Sequence, residues 1–253
     1  MIFIFMDTET LQRDHFNQLI TAYEKHYDDK YSRQYREKFI NQYLFRGIDL
    51  CKKNVLEGMC GSGQTTEYLL DKGADVTCLD ISGRALDILK SRFKTVKVLK
   101  ASIKKTGLNK DMFDCVVMVG GLHHVHPDIN QAIDETYRLL KPGGYLCFFE
   151  PHQGSWPDAV RKFWYKRDRY FASNERSIDI QGLKKIYKNK FSFKKEYYSG
   201  NLAYIFVYNS LIIRAPRWLK AAYSSIFLKL ESLLRVFQGK RFSCFVICQW
   251  QKK

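Results

Sequence analysis

Along residues 54–150, short apolar runs alternate with segments whose apolar residues recur at helical spacing. The run 115–119 is continuously apolar, as expected of a strand buried on both faces. Segment 128–140 has helical spacing and is followed by a lysine, a proline and two glycines, which together stop a helix. Strand–helix alternation of this kind implies right-handed crossovers and a parallel sheet.

The same pattern extends, less regularly, to the end of the chain. The predicted strands are 55–57, 75–79, 96–99, 115–119, 145–149, 191–198 and 242–250. The predicted helices in this part are 64–72, 82–93, 128–140, 179–189 and 216–237. We therefore predict an α/β fold with a doubly wound, seven-stranded, Rossmann-like sheet.

Two helical additions flank this sheet. Residues 7–46 are helical and polar, with a single aromatic stripe that fits either a packing helix or a lid over a pocket. The stripe consists of Phe16, Tyr23, Tyr27, Tyr31, Tyr35 and Phe39. We predict a helical N-terminal cap over 1–50 and one domain over 51–253, with an acceptor-binding insertion at about 151–176 and a helical insertion at about 201–241 before the last strand.

The insertion 201–241 is unusually apolar for a surface segment. Its helix carries an apolar stripe, and residues 214–241 hold seven basic residues against one acid, Glu231. The stripe consists of Leu219, Tyr223, Ile226, Leu230, Leu233 and Phe237. A basic amphipathic helix of this kind can lie on an anionic membrane. The alternative is a helical hairpin that roofs the active site or forms a dimer seam.

A glycine-rich turn follows the first predicted strand, over 57–63. Its glycines, Gly58, Gly61 and Gly63, are ordered G-x-x-G-x-G, which differs from the G-x-G-x-x-G that seats a dinucleotide pyrophosphate. No P-loop lysine follows. Asp80 ends the second strand, where a carboxylate can accept hydrogen bonds from both hydroxyls of a ribose. An unphosphorylated nucleoside therefore fits this turn better than a nucleotide, and an oxidoreductase is disfavoured.

Five motifs in this order resemble those of type 11 class I methyltransferases, a group that includes quinone-biosynthesis, natural-product and sugar methyltransferases. The motifs lie at 55–63, 79–82, 113–116, 122–125 and 140–144, so the resemblance covers roughly residues 50–150. It implies the class I methyltransferase fold and S-adenosyl-L-methionine as cofactor. The transferred methyl group would go to a small-molecule, sugar or lipid-linked acceptor.

The resemblance also implies which residues hold the cofactor. Glu57 and the glycine turn would hold its methionyl part, Asp80 its ribose, and Gly120 would lie beside it. Ser102 stands where the family usually has an acid that bonds the adenine amino group, and Met59 stands where it usually has its first glycine. The full predicted set is Glu57, Gly58, Cys60, Gly61, Gly63, Asp80, Ile81, Ser102 and Gly120.

Three histidines, His123, His124 and His126, follow the fourth strand, where an acceptor must sit. A base assists methyl transfer when the acceptor is a hydroxyl or a carbon acid. We predict His124 as the base, in line with the family's recurrent histidine, with His123 as the second candidate and O-methylation as the favoured reaction. We predict no metal site, because histidines at these spacings do not usually converge on zinc.

Residues 161–171 alternate cations with aromatics, and within them Arg161, Trp164 and Tyr165 are the predicted acceptor-binding residues. Stacking and phosphate contacts would suit a nucleic acid, and the same residues would suit an anionic sugar or a lipid headgroup. Residues 118–121 lack the proline-containing motif of base methyltransferases. An RNA methyltransferase is therefore the alternative to a small or lipid-linked acceptor, as is a non-catalytic, cofactor-binding partner subunit.

Lysine and arginine total 42 against 26 acids, giving a net charge of +16. This balance favours anionic partners, either nucleic acid or an anionic membrane. The seven cysteines form no CxxC pair and suit buried thiols in a reducing compartment. The first six residues are apolar but lack the basic start of a signal peptide. We expect a cytoplasmic protein, with peripheral contact at the inner face of a membrane as one of the alternatives that the basic helix leaves open.

Overall fold

The computed structural model describes residues 8–165 and 175–253, and its core is one seven-stranded sheet. The strands are β1 (Asn54–Gly58), β2 (Asp75–Asp80), β3 (Lys97–Lys100), β4 (Phe113–Val119), β5 (Leu140–Pro151), β6 (Phe191–Ser199) and β7 (Phe245–Lys252). Their order is β3-β2-β1-β4-β5-β7-β6. The first five are parallel, and β7 runs antiparallel to both of its neighbours. The predicted doubly wound, seven-stranded sheet is confirmed.

Helices cover both faces of this sheet. The helices are α1 (Thr8–Tyr27), α2 (Lys30–Tyr35), α3 (Gln42–Leu44), α4 (Thr66–Asp71), α5 (Gly83–Arg92), α6 (Ile129–Leu139), α7 (Trp156–Tyr165), α8 (Ile180–Tyr187) and α9 (Arg217–Leu234). Neighbouring strand residues alternate between two cores, since Val55 and Val117 belong to one and Leu56 and Val116 to the other. All four are fully buried, as a strand covered on both faces requires.

The N-terminal part is helical, as expected, but it is divided. Asp29 accepts hydrogen bonds from the N–H groups of Tyr31 and Ser32 and so starts α2. One π-helical turn, Arg36–Asn41, then leads into α3. Tyr35 and Phe39 are buried in the core, whereas Phe16 of α1 faces a cavity. The last two residues of the aromatic stripe therefore pack in the core, whereas its first residue covers a cavity.

The insertion before β7 has two parts with different contacts. A π-helical turn, Tyr204–Tyr208, and the residues after it pack over the sheet, with Val207 and Leu211 in the core. The following helix, α9, buries Lys220, Ser224, Leu228 and Glu231. Its predicted apolar stripe faces outward instead, with Leu219, Ile226 and Leu233 exposed and Tyr223 and Leu230 half-buried. The stripe of α9 is thus not the roof of a pocket; the side chain of Phe237 lies outside the described residues.

The inner face of α9 carries two buried charged side chains, Lys220 and Glu231, and each has partners inside the protein. Lys220 Nζ donates to the His26 carbonyl (2.8 Å) and to Ser32 Oγ (2.7 Å) and pairs with Asp29. The Glu231 carboxylate accepts hydrogen bonds from Tyr35 Oη (3.1 Å) and from the N–H of Ala203 (2.9 Å). Buried polar groups need such partners. Among the described residues, no helix is long and apolar enough to cross a bilayer.

Candidate functional site

The strand order reverses between β1 and β4, and the carboxyl ends of parallel strands at such a point form a ligand crevice. A cavity of about 180 Å³ lies there. We call it the glycine-turn cavity. The sheet side contributes Glu57, Gly58, Met59, Cys60, Gly61, Ser62, Gln64, Thr65, Asp80, Ile81, Ser82, Val119, Gly120 and Gly121, and His124 and Glu175 also line it.

The turn after β1 is held by hydrogen bonds from its own backbone. The Cys60 N–H donates to the Leu79 carbonyl, and the Gly63 N–H donates to the Cys60 carbonyl, both at 3.0 Å. Gly61 and Gly63 have φ of +53° and +88°, which favours glycine. Met59 also has a positive φ, +55°, a conformation that favours glycine.

Asp80 connects the turn to the second strand. Its Oδ2 accepts a hydrogen bond from the Gly61 N–H and its Oδ1 one from the Ser82 N–H, both at 2.8 Å. Burial raises the pKa of Asp80 above its ordinary value, although the backbone donors oppose that shift. Each carboxylate oxygen has two lone pairs, so one on each remains for a ligand. Asp80 can therefore accept two further hydrogen bonds in the cavity.

Glu57, at the end of β1, is the second buried acid of the cavity. It accepts hydrogen bonds from the Thr66 hydroxyl and, at 3.8 Å, from the Cys78 thiol. Burial raises the pKa of Glu57 to about 7. A cationic ligand group nearby would favour the ionised form of this side chain.

Helix α1 covers the glycine-turn cavity and is tied to the sheet by polar contacts. Glu24 of α1 pairs with Arg92 and accepts a hydrogen bond from Ser62. The guanidinium of Arg84 donates to the Asn17 carbonyl at 2.8 Å. On the cavity side α1 contributes Gln12, Arg13, His15, Phe16, Leu19, Tyr23 and Glu24. The first predicted element of the chain is thus a lid as well as a packing helix.

A second, larger cavity of about 530 Å³ adjoins the first. We call it the aromatic cavity. It is lined mainly by Tyr23, Tyr27, Phe149, Trp156, Val160, Trp164, Tyr204, Ile205, Tyr208, Ile212, Ile213 and Phe242. Val119, Gly120, His124 and Glu175 line both cavities. Gly120 has φ +65°, and nothing lies within 4 Å of the place of a β-carbon, so the junction is open there.

His123 is held by a buried carboxylate. Its Nδ1 lies 2.7 Å from Oε2 of Glu150, the residue near the carboxyl end of β5. The other oxygen of Glu150 accepts from the N–H groups of Gly121 (2.9 Å) and Leu122 (2.7 Å), which fixes the loop after β4. Burial lowers the pKa of His123 well below its ordinary value and raises that of Glu150 to about 7. Both side chains therefore build the loop that presents His124.

His124 stands at the junction of the two cavities. Its Nδ1 lies 3.2 Å from Oε1 of Glu175, a buried residue. Burial alone would lower the pKa of His124, but the Glu175 charge and hydrogen bond outweigh it and the net shift is upward. A histidine oriented by a carboxylate in this way has the arrangement of a general base.

The structure also places Glu175 close to both His123 and His124. One ligand atom from each of His123, His124 and Glu175 lies within 4.8 Å of the others, a spacing that a metal ion could use. Two of the three histidines converge here with a glutamate, and His126 is not part of this cluster. Glu150 Oε2 lies 2.7 Å from Nδ1 of His123, and Glu175 Oε1 lies 3.2 Å from Nδ1 of His124. The absence of a metal stays a prediction.

The predicted acceptor-binding residues have different positions. Trp164 lines the aromatic cavity and is partly exposed. Arg161 lines it too, but its guanidinium donates to the Cys244 carbonyl (2.6 Å) and lies 3.7 Å from Asp158. The side chain of Tyr165 and residues 166–171 of the basic stretch lie outside the described part of the chain. Arg161 is thus largely engaged within the protein.

Most predicted cofactor residues line the glycine-turn cavity, but Gly63 and Ser102 do not. Gly63 shapes the turn, because a β-carbon there would lie 2.9 Å from Thr66 Oγ1. Ser102 donates to the carboxylate of Glu9 in α1, and Glu9 lines a small side cavity beyond Asp80. The Glu9 carboxylate therefore lies beside Ser102, the position at which the resemblance implies an acidic residue.

Comparison with known proteins agrees with this geometry. Residues 56–148 match the family model described as "Methyltransferase domain". Malonyl-[acyl-carrier protein] O-methyltransferase of Salmonella typhimurium is 30% identical over 130 residues, 50% of this chain and 51% of that protein. Ubiquinone biosynthesis O-methyltransferase of Nitrosospira multiformis is 31% identical over 111 residues, 42% of this chain and 46% of that protein. The chain spans about half the length of these curated relatives.

Two solved structures share the fold over nearly the whole chain. Magnesium protoporphyrin IX methyltransferase of Synechocystis, with bound S-adenosylmethionine, has a TM-score of 0.65 and 14% identity, with 100% of both chains covered. An N-methyltransferase of Bradyrhizobium japonicum, in complex with S-adenosylhomocysteine, has a TM-score of 0.60 and 16% identity, with 94% of this chain and 98% of that chain covered. At these identities the similarity shows the fold alone.

Proposed function

We propose that this chain, whose residues 56–148 form a domain of the class I S-adenosylmethionine-dependent methyltransferase family, transfers a methyl group to a hydroxyl of an acceptor with a largely apolar body. The observation that carries this proposal is the junction of the two cavities at Gly120 and His124. One cavity has the features of a nucleoside site, and the other is larger and aromatic. A carboxylate-oriented histidine lies where they meet.

The residues of the glycine-turn cavity fit this cofactor. The free lone pairs of Asp80 suit the two hydroxyls of a ribose, and the open space beside Gly120 leaves room for a ligand against the backbone. Glu57 suits the cationic methionyl amino group, because an ionised carboxylate would then be paired. When bound, S-adenosylmethionine supplies an electrophilic methyl group to an acceptor held in line with it.

The chain's own contribution to the transfer is alignment and proton removal. The hydroxyl oxygen of the acceptor gains the methyl group, and its proton passes to the imidazole of His124. Glu175 holds the ring through Nδ1 and stabilises the positive charge that the ring acquires. The largely apolar walls give the reacting groups a site of low polarity.

The lining of the aromatic cavity supports an acceptor with an apolar or aromatic part. Its polar groups are few, and Arg161 is already bonded to Cys244 and Asp158. An RNA substrate would need exposed cations along a groove, so this cavity favours a small or lipid-linked acceptor over RNA. The relatives named as malonyl-[acyl-carrier protein] and ubiquinone biosynthesis O-methyltransferases are consistent with O-methylation.

The cofactor assignment predicts selective binding. Isothermal titration calorimetry should show S-adenosylhomocysteine binding at micromolar affinity, about 8 kcal/mol. NAD should bind far more weakly, because the glycine order does not seat a pyrophosphate. NAD binding of equal or higher affinity would overturn the assignment.

Glu175 gives a prediction about pH. A base must be unprotonated, so the rise of kcat/KM with pH should follow the pKa of His124, which lies above its ordinary value of 6.5. Glu175→Gln removes the charge that raises this pKa while burial still lowers it. We therefore expect the rise to move to lower pH and the maximal rate to fall. A pH–rate profile in saturating cofactor measures both.

A purely structural role for Glu175 would give a different result. The rate would then fall at every pH, and the midpoint of the profile would stay in place. Lys162→Gln is a suitable control, since this exposed side chain pairs with Asp158 in the same region without lining either cavity. Its profile should match that of the unmodified protein.

A further inference from the structure

Helix α9 buries three polar side chains beside Leu228 and exposes several large apolar ones, unlike an ordinary surface helix. Its buried face carries Lys220, Ser224 and Glu231. Its outward-facing apolar residues include Trp218 (73% exposed), Leu219 (40%), Ile226 (60%) and Leu233 (67%). We call these four residues the α9 outer face. They contribute little to the packing of the chain on itself.

The polar inner face explains why α9 keeps this orientation. Lys220 is 2% exposed and pairs with Asp29, and Glu231 is fully buried and accepts hydrogen bonds from Tyr35 and from three N–H groups of the preceding segment. If the helix were turned over, Lys220 and Glu231 would be hydrated, but their partners Asp29, Tyr35 and the backbone N–H groups would lose these hydrogen bonds inside the protein. The chain therefore holds the α9 outer face toward solvent.

The exposed charges of the segment 214–241 are of one sign. Arg217 and Lys229 are exposed on α9, and Lys240 and Arg241 are exposed just after it. The only acid within 214–241 is Glu231, which is buried. Arg241 lies 5.9 Å from the ring centre of the exposed Trp156, at the edge of the aromatic cavity. Apolar side chains thus project from a surface that is basic and carries no exposed acid in this segment.

We propose that the α9 outer face binds the surface of an anionic lipid bilayer, with its apolar side chains in the interface and its cations on the headgroups. Apolar burial and headgroup attraction together are what such attachment requires. Trp218 at the start of the helix has the side chain that is most favoured at this depth. A second copy of the chain fits less well, because a symmetric contact would bring two basic surfaces together.

Co-sedimentation of the full chain with lipid vesicles tests this proposal without any methyl transfer. We expect binding to phosphatidylcholine vesicles that contain phosphatidylglycerol and much weaker binding to phosphatidylcholine alone. Ile226→Glu should reduce the affinity by about tenfold or more, the effect of losing one apolar contact. Added salt should weaken the binding only in part, because apolar burial is not screened.

Ile186→Glu is the matched control. Ile186 is 59% exposed on α8, which packs on the other face of the sheet from α9, and the substitution changes the charge equally. We expect its vesicle binding to stay within about twofold of the unmodified protein, since only bulk charge is altered. Equal losses in the two variants would show that bulk charge alone binds the vesicles and would overturn the proposal.

Two further outcomes would also overturn it. One is no sedimentation with anionic vesicles at low salt. The other is a dimer in solution that Ile226→Glu dissociates while vesicles bind no protein, which would make the α9 outer face a contact between copies.

A second variant keeps the test usable if the first does not fold. Ile226→Ser removes the apolar contact without adding charge, and it replaces Ile226→Glu if thermal melting shows the latter to be unfolded. S-adenosylhomocysteine binding, measured in parallel, separates a failure here from a failure of the proposed function.

Discussion

His124→Ala is expected to lower turnover about 10²–10⁴-fold, because the acceptor hydroxyl then loses the group that takes its proton. The side chain lines the junction of the two cavities, and Glu175 orients it. Affinity for S-adenosylhomocysteine should change far less than turnover, since Asp80 and the glycine turn carry most of that binding. Single-turnover kinetics with saturating cofactor, together with calorimetry, measures the two effects separately.

His26→Ala is the matched control for this variant. His26 lies at the end of α1, 3.4 Å from the Ser210 hydroxyl, and lines neither cavity. This variant tests whether removal of a histidine outside the cavities also lowers turnover. Turnover of His124→Ala within a few-fold of the unmodified protein would remove His124 from the mechanism and leave alignment as the main contribution of the chain.

Asp80→Ala should weaken cofactor binding by about 1–3 kcal/mol, because two ligand hydroxyls lose their acceptor. The same change leaves the N–H groups of Gly61 and Ser82 without their buried partner. The free energy of unfolding should therefore fall as well, by a similar amount. Calorimetry with S-adenosylhomocysteine and denaturant unfolding provide the two measurements.

Asp75→Ala separates these effects from a general effect on the strand. Asp75 stands at the other end of β2, is exposed and pairs with Lys97 on the surface. Surface pairs contribute little, so both cofactor affinity and stability should stay nearly unchanged. Equal cofactor affinity in Asp80→Ala and Asp75→Ala would contradict the assignment of Asp80 to the ribose.

The strands and the turn could be predicted because their signals are local. A strand buried on both faces must be continuously apolar, and 115–119 has that pattern. The turn at Gly61 and Gly63 needs positive φ, which glycine signals directly. Met59 is an exception, since it has a positive φ without being glycine, and its residue type gave no such signal. Asp80 and His124 were predictable for a related reason, as each follows the end of a predicted strand.

Glu175 and Glu150 were missed because their roles depend on distant parts of the chain. Glu150 follows the predicted strand 145–149, so its place at the carboxyl edge of the sheet was a usable signal. Glu175 has no such signal, because no predicted strand or helix leads into it. It reaches His124 only when the chain folds back, with the Arg176 N–H donating to the His123 carbonyl at 3.4 Å.

The orientation of α9 shows another limit of periodicity. Its spacing located the helix and its apolar stripe, but it could not show which face meets the core. That choice depends on two residues far earlier in the sequence. Asp29 pairs with Lys220, and Tyr35 donates a hydrogen bond to Glu231. Two satisfied polar groups outweighed the burial of the stripe.

Helix α1 covers the glycine-turn cavity and also contributes Tyr23 and Tyr27 to the wall of the aromatic cavity. If the two cavities hold cofactor and acceptor as proposed, a movement of α1 would open both of them at once. Exchange of the two ligands would then be coupled through a single helix, and binding of one would slow the exchange of the other.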